Sequence, residues 1–303
     1  MVPARDSVIN AEILSLLKNY CGERLVSKFV GEQKGMQIVE QRLLRQGARH
    51  LPAKVATEVS LDDEAVYDQL VTMCKQNLSA YEFSEAMLGI GDLFKAHGEL
   101  QKAEQTYSSV MQYSQKTGHV EFVAEALLRR GEVYCRQGLW KESNRDLGES
   151  HSLFLESNNR TALAKVENLR GTCSAEQGHL RRARSHYSKA LRAFEESEEK
   201  VMVGTVLMNL GIVHNIMGEW DNAIKFYHSA LLYFQSAGDA RRIAEVHHNS
   251  GMSRVSKGDY AEAIREFDNG LTLSVKLQDP RLIGLAQLGK AVAFFHMKDS
   301  AYA

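Results

Sequence analysis

Residues 201–238 read VMVGTVLMNLGIVHNIMGEWDNAIKFYHSALLYFQSAG. Apolar side chains recur every three or four residues over 203–214 and again over 220–234, which is the period of two amphipathic helices. Gly218 lies between the two halves, where glycine takes the left-handed backbone that ends a helix without a steric penalty. The stretch therefore predicts a helical hairpin.

The same pattern recurs every 40 residues along most of the chain. Each copy has a glycine, a second glycine seven residues later, and in most copies an alanine and then an aromatic residue. A fixed period of this kind is the signature of stacked repeats. The first glycine lies inside a helix, where it costs roughly 1 kcal/mol relative to alanine, so we expect the partner helix to approach it closely. The first glycines are Gly91, Gly131, Gly171, Gly211 and Gly251, and copy two departs from the pattern with Ser143 and Leu147.

These residues resemble the tetratricopeptide repeat, which has a leucine-glycine pair, a glycine turn, and then an alanine and an aromatic residue. The period of 40, rather than about 34, is similar to that of kinesin light chains, rapsyn and the spindle adaptors of the LGN and Pins kind. The resemblance implies an all-α fold, an α-solenoid of antiparallel helix pairs wound into a right-handed superhelix. Copy four shows the tetratricopeptide-repeat pattern in Leu210, Gly211, Gly218, Ala223 and Tyr227.

The period also divides the chain. Tyr67 lies 40 residues before Tyr107, which marks a degenerate half repeat, and residues 5–20 have the pattern of an amphipathic helix. A solenoid needs its open ends covered. We therefore expect an N-terminal helical cap at 1–60, the half repeat at 61–83, five repeats at 84–283, and a capping helix or the start of a sixth repeat at 284–303. The five repeats are 84–123, 124–163, 164–203, 204–243 and 244–283.

Composition excludes several classes of protein. The net charge of −1 provides no basic footprint for nucleic acid, and no run approaches the ~18 apolar residues of a membrane span. The N-terminus lacks the features of a secretory signal. The four cysteines are isolated in sequence, which suits reduced packing cysteines in a cytoplasmic protein. We therefore expect a protein or peptide partner, with no nucleic acid and no membrane insertion.

Catalytic patterns are missing from the sequence. His247 and His248 are adjacent and would point about 100° apart on a helix, so they cannot share one ligand geometry. No metal-binding, phosphate-binding or nucleophile motif occurs. We expect no enzyme activity, no cofactor and no metal.

Binding to another protein or peptide is a more plausible class of function than catalysis. The resemblance implies that the first helix of each pair lines a concave surface that holds a peptide, and residues spaced by three, four and seven share a helical face. Asparagine recurs on this face, and its amide can bond a peptide backbone through both donor and acceptor. Basic residues there could meet an acidic ligand, or could form local ion pairs. The candidate contacts are Arg129, Glu132, Arg136, Lys165, Asn168, Thr172, Asn209, Ile212, Asn249 and Met252.

Two functions remain open from these residues. The first is a scaffold or adaptor that holds a peptide or helical segment of a partner in its groove. The alternative is a regulatory sensor module, similar to bacterial tetratricopeptide regulators that bind a signalling peptide. A sensor should carry an output domain, and residues 1–60 are too short and too weakly basic for a convincing DNA-binding unit. The scaffold therefore leads.

Overall fold

The computed structural model describes residues 5–34 and 64–300, and these ranges contain helices and turns but no strand. This confirms the all-α solenoid class. The part of the expected N-terminal cap at 35–60, and the start of the half repeat at 61, lie outside the described residues. The helices are α1 (Arg5–Cys21), α2 (23–34), α3 (Glu64–Asn77), α4 (Ala80–Ala96), α5 (Leu100–Thr117), α6 (Val120–Arg136), α7 (Trp140–Glu156), α8 (Arg160–Glu176), α9 (Leu180–Glu196), α10 (Lys200–Ile216), α11 (Trp220–Ala237), α12 (Ala240–Lys257), α13 (Tyr260–Lys276) and α14 (Pro280–Ser300).

The chain forms two compact units that divide between Leu153 and Phe154. In unit 1, α1 packs against α4, and its apolar face is buried as its sequence period predicts. In unit 2, the hairpins α8–α9, α10–α11 and α12–α13 follow one another, and α14 packs on both α12 and α13. The first helix of each pair begins at Ala80, Val120, Arg160, Lys200 or Ala240. The repeat boundaries predicted from the sequence, which begin at 84, 124, 164, 204 and 244, therefore fall about one turn inside these helices.

Each hairpin is antiparallel, as the contacts of α4 and α5 illustrate. Tyr107 of α5 lies against Gly91 of α4, and the hydroxyls of Ser84 and Ser114 are 3.0 Å apart. Seven residues back along α4 thus correspond to seven residues forward along α5. The helices lie side by side because short turns connect them and their apolar faces meet.

The first glycine of each repeat permits this close packing. A Cβ built on Gly211 would lie 2.5 Å from Cε1 of Tyr227, and Cβ atoms at Gly171 and Gly251 would lie 2.6 Å from the nearest ring atoms of Tyr187 and Phe267. Contacts below 3.0 Å do not occur for real Cβ atoms. The close approach predicted from the sequence is therefore confirmed.

Copy two reaches the same packing with different residues. Leu147 takes the place of the aromatic, and a Cβ at Gly131 would be 3.1 Å from its Cδ2. Ser143 donates a hydrogen bond of 2.8 Å to the carbonyl of Gly131. The guanidinium of Arg130 binds both oxygens of the fully buried Asp146, with Nε–Oδ2 at 2.7 Å and Nη2–Oδ1 at 3.1 Å. A buried ion pair thus joins α6 to α7 in addition to apolar packing.

The first helices of successive repeats also touch. In unit 2, α8 contacts α10, α10 contacts α12, and α12 contacts α14, while in unit 1 α4 contacts α6. Residues at equivalent repeat positions therefore form rows across these helices. The side chains of first helices that the second helices leave uncovered make up what we call the first-helix face of each unit.

Candidate functional site

The first-helix face of unit 2 contains a small group of amides. Asn209 Nδ2 of α10 donates to Asn168 Oδ1 of α8 over 3.2 Å, so these two predicted contact residues are together. Asn249, at the equivalent position of α12, is half-buried, and its amide has no hydrogen-bond partner among the described residues. Thr172 lies one turn beyond Asn168 and accepts a hydrogen bond of 3.1 Å from the Tyr187 hydroxyl. Lys165 is half-buried at the start of this face and has an interaction within the structure.

Apolar side chains lie beside these amides. Ile212 and Met252 are partly buried against the core clusters of unit 2, and Ile216, one turn beyond Ile212, is 58% exposed. The face therefore changes along unit 2 from amide and hydroxyl groups on α8 to apolar groups on α10 and α12.

The apolar part continues on α14, which carries none of the contact residues predicted from the sequence. Leu288 and Val292 lie 40 residues after His248 and Met252, and Phe295 follows three residues later on the same helical face. Leu288 is 63% exposed and Phe295 is 64% exposed. The 40-residue register could have identified Leu288, because it places that residue in the row of Asn168. Phe295 falls in the row of Val255, which is packed against the core, so the register does not predict that Phe295 is exposed.

Charged pairs connect the first helices near their N-terminal ends. Arg242 of α12 binds the hydroxyl of Thr205 on α10. Arg281 of α14 binds Glu245 of α12 over 2.8 Å. These bonds join three successive first helices beside the amide and apolar rows.

The first-helix face of unit 1 has a different character, because its charges bind one another. Arg129 of α6 pairs with Asp92 of α4 and with Glu125 one turn earlier. Glu132 accepts from Lys95 of α4 and from Arg136, both at 2.7 Å. The three predicted contact residues Arg129, Glu132 and Arg136 thus lie together in one network of ion pairs.

Two histidines and one buried cysteine form contacts within the fold. His247 bonds Glu266 at 2.7 Å, and His214 bonds Glu219 and stacks on Phe226. Burial alone would raise the pKa of Glu266, but hydrogen bonds from His247 and Ser250 and the charge of Arg254 hold it below its ordinary value. Burial raises the pKa of the Cys74 thiol, which keeps it protonated and weakly nucleophilic.

The described ranges also bear on metal binding and membrane insertion. Across 5–34 and 64–300, no three His, Cys, Asp or Glu side chains are grouped so that they could hold a metal ion. In the same part of the chain, no helix is both long and apolar enough to cross a membrane.

Comparison with known proteins identifies the architecture. The family model described as tetratricopeptide repeat matches residues 122–196 and 202–275. No curated protein matches the chain. A solved Rap protein complexed with competence and sporulation factor is 16% identical, over 95% of this chain and 86% of its own, with a TM-score of 0.63.

Two further solved structures resemble this chain to a similar degree. Aspartyl phosphate phosphatase F from Bacillus subtilis is 15% identical over 100% of this chain and 73% of its own, with a TM-score of 0.62. A signal transduction ATPase with numerous domains and a tetratricopeptide repeat sensor, from Pyrococcus horikoshii, is 15% identical with a TM-score of 0.62. This chain aligns over 97% of its own length and covers 44% of that protein. At such low identity, these likenesses show the fold alone.

Proposed function

We propose that this chain, which belongs to the tetratricopeptide-repeat family, is a non-catalytic scaffold or adaptor that holds a peptide or helical segment of a partner protein. The proposed binding surface is the first-helix face of unit 2. Its contact residues are Lys165, Asn168, Thr172, Asn209, Ile212, Asn249 and Met252, extended by Leu288 and Phe295.

The observation that carries the proposal is the row of amides beside exposed apolar groups. Helices in contact lie about 10 Å apart, and an extended peptide advances about 3.3 Å per residue. Equivalent side chains on successive first helices would therefore meet every third residue or so of a bound peptide. Asn209 and Asn249 could bond its backbone, while Met252 and Leu288 would receive its apolar side chains.

Arg129, Glu132 and Arg136 form a second, charged part of the proposal, on unit 1. Their charges already have partners, so a ligand must replace an existing ion pair to bind there. Surface ion pairs contribute little free energy. Replacing an internal ion pair by one with the ligand therefore costs little, but it also adds little to the affinity for the ligand. We therefore expect these three residues to affect the choice of ligand more than the strength of binding.

The experiment starts from a partner captured with the purified chain and identified by mass spectrometry. The variant Asn209→Ala/Asn249→Ala should weaken its dissociation constant about tenfold or more. A buried amide left unpaired costs roughly 1–3 kcal/mol, and 1.4 kcal/mol corresponds to a factor of ten. Circular dichroism should show an unchanged fold.

The matched controls lie on the second helices, where both side chains are exposed. Lys225→Glu and Glu262→Lys should leave the affinity within about twofold. If these controls abolish binding and the asparagine pair has no effect, the partner binds the opposite face and the proposed surface is wrong.

A regulatory sensor that binds a signalling peptide is the second candidate. In its favour, the Rap protein that matches 95% of this chain was solved with competence and sporulation factor bound. A sensor must change shape or release a partner when its peptide binds. Small-angle scattering with and without the captured ligand would separate the two functions, since a plain scaffold should keep its dimensions.

A further inference from the structure

Helix α9 has a strongly basic outer face that the proposed groove does not use. Its apolar stripe, Ala183, Tyr187, Ala190 and Phe194, is buried in the core of unit 2. The opposite side of the helix is exposed and carries positive charge over three turns. The basic residues there are Arg181, Arg182, Arg184, Lys189 and Arg192.

The four arginines of this face form no ion pair with any described residue, whereas Lys189 lies 3.8 Å from Glu167. Most arginines elsewhere in the described residues form ion pairs, as shown by Arg129 with Asp92 and Arg281 with Glu245. Arg192 Nε donates to the Ser188 carbonyl of its own helix over 3.3 Å, while the hydrogen bond from His214 and, to a smaller extent, the charge of Arg184 lower the pKa of Glu219. No carboxylate of the described residues is paired with the four guanidinium groups, so they are available to an external carboxylate, which a guanidinium can bind through two parallel hydrogen bonds.

These charges also do not stabilise their own helix. Arg181 and Arg182 lie in the first turn, at the positive end of the helix dipole, and Glu195 and Glu196 lie in the last turn, at its negative end. Both placements are unfavourable, and like charges three residues apart add repulsion. The stability of the helix does not explain why these residues are basic.

The repeat does not require them either. At the positions of Arg181, Arg182, Arg184, Lys189 and Arg192, helix α11 has Asp221, Asn222, Ile224, Ser229 and Leu232, and helix α13 has Ala261, Glu262, Ile264, Asn269 and Thr272. Both helices pack in the same way as α9 without a single basic residue at these places. Helices α5 and α7 each have a single lysine at these positions, Lys102 and Lys141, so only α9 is basic at all five of them.

We propose that the outer face of α9 is a second interaction surface, which binds an acidic protein segment about three helical turns long. Arg181 and Arg192 are separated by about 16 Å along the helix, which sets the length of the acidic run. Beyond Arg192 come Glu195, Glu196, Glu198 and Glu199. A carboxylate-rich segment of limited length fits between these boundaries.

Other polyanions fit less well. A nucleic acid continuing past three turns would meet the four glutamates, or Asp221 on neighbouring α11. A membrane-surface helix needs a free apolar side, and that side of α9 is packed inside the protein. The limited length of the patch therefore favours a protein segment.

The test uses the full chain and a fluorescent synthetic peptide of about a dozen residues, with glutamates spaced to lie on one helical face. Anisotropy should show binding that weakens as salt rises toward about 0.15 M. The variant Arg181→Gln/Arg182→Gln/Arg184→Gln/Arg192→Gln should weaken it about tenfold or more. The matched control removes four charges from other exposed second-helix positions, Lys116, Lys141, Lys225 and Lys276, each changed to Gln, and should bind within about twofold of the parent.

Three results would overturn the proposal. The first is no binding at roughly 1 mM peptide and low salt, and the second is an equal loss in the lysine control. The third is tighter binding of a single-stranded oligonucleotide, or of vesicles rich in phosphatidylserine, than of the peptide. A peptide with lysine in place of every glutamate should not bind the parent chain, and this arm needs no variant to fold.

Discussion

At the scale of single residues, two glycines in helices of unit 2 should respond oppositely to the same change. Gly211→Ala places a methyl group 2.5 Å from the Tyr227 ring, so we expect it to lower the free energy of unfolding by about 1–3 kcal/mol. Gly284 of α14 has nothing within 4 Å of an added Cβ, so Gly284→Ala should raise it by about 0.5–1 kcal/mol through helix propensity. Chemical denaturation measures both. Equal effects of the two changes would refute the close-approach explanation.

The ion pair of Arg130 and Asp146 gives a second residue-scale prediction. Asp146 is fully buried, and Arg130 also donates to the Ser108 hydroxyl over 3.0 Å. Asp146→Ala leaves a buried guanidinium without its anion, which should cost about 3–5 kcal/mol of unfolding free energy. Adding Arg130→Met should recover most of that loss, because the unpaired charge is then gone. A double variant as unstable as Asp146→Ala would show that the effect is a cavity rather than a charge.

His248 should make stability depend on pH. Its Nδ1 is buried without a partner among the described residues, and burial and the charge of Arg281 hold its pKa below the ordinary value. The unfolded chain takes up a proton near pH 6.5, while the folded chain resists it. Stability should therefore fall as pH drops through 6.5 toward the folded pKa. Thermal melts at about pH 7.5 and pH 5.5 would measure this effect. The fall in Tm between the two pH values should be smaller in His248→Leu than in the parent, by on the order of 2 °C.

At the scale of helices and turns, the connection after each second helix contains one residue with left-handed backbone. Gly238 takes it freely with φ of 69°, but Glu198 and Gln278 hold φ of 56° and 51°. Such a conformation costs a residue with a side chain roughly 1–2 kcal/mol. Both side chains are exposed, so little contact is lost on truncation. Glu198→Gly and Gln278→Gly should each raise the unfolding free energy by about 1 kcal/mol, and Gly238→Gln should lower it similarly.

The helices themselves could be predicted from the sequence, because their signal is local and repeats. The sequence period over 203–214 and 220–234 predicts two helices on either side of Gly218, and α10 and α11 include these two stretches and lie on either side of that glycine. The 40-residue period supports each assignment several times over. The contact of Gly211 with Tyr227 could be predicted too, since a glycine inside a helix costs stability and so indicates a close neighbour.

The pairing of side chains on the first-helix faces could not be predicted in the same way. Arg129 pairs with Asp92, which is 37 residues earlier in the chain, and Asn209 bonds Asn168, which is 41 residues earlier. Rotamers and the spacing of helices decide such bonds, and the period alone gives neither. Whether these faces bind a peptide stays a prediction.

At the scale of the whole molecule, stability should be distributed as it is in a stack of repeats. Each helix of unit 2 packs most extensively against the helices next to it in sequence, as α10 does against α11 and α9. The stability of such a stack is approximately a sum of terms for single repeats and for contacts between neighbours. Local damage should therefore weaken with distance along the stack instead of unfolding every part equally.

Hydrogen exchange of the variant Gly211→Leu would measure this decay. Leucine must force α10 away from α11, so amides of these two helices should lose the most protection. Amides of α8, α9, α12 and α13 should lose less, because they lose only a neighbour's support, and α4 and α5 should exchange as in the parent. The matched variant Gly284→Leu, at an open position, should leave α10 and α11 unchanged. Equal loss throughout 160–300 would mean that unit 2 unfolds in one step, and loss confined to α10 and α11 would mean that neighbouring repeats are not coupled.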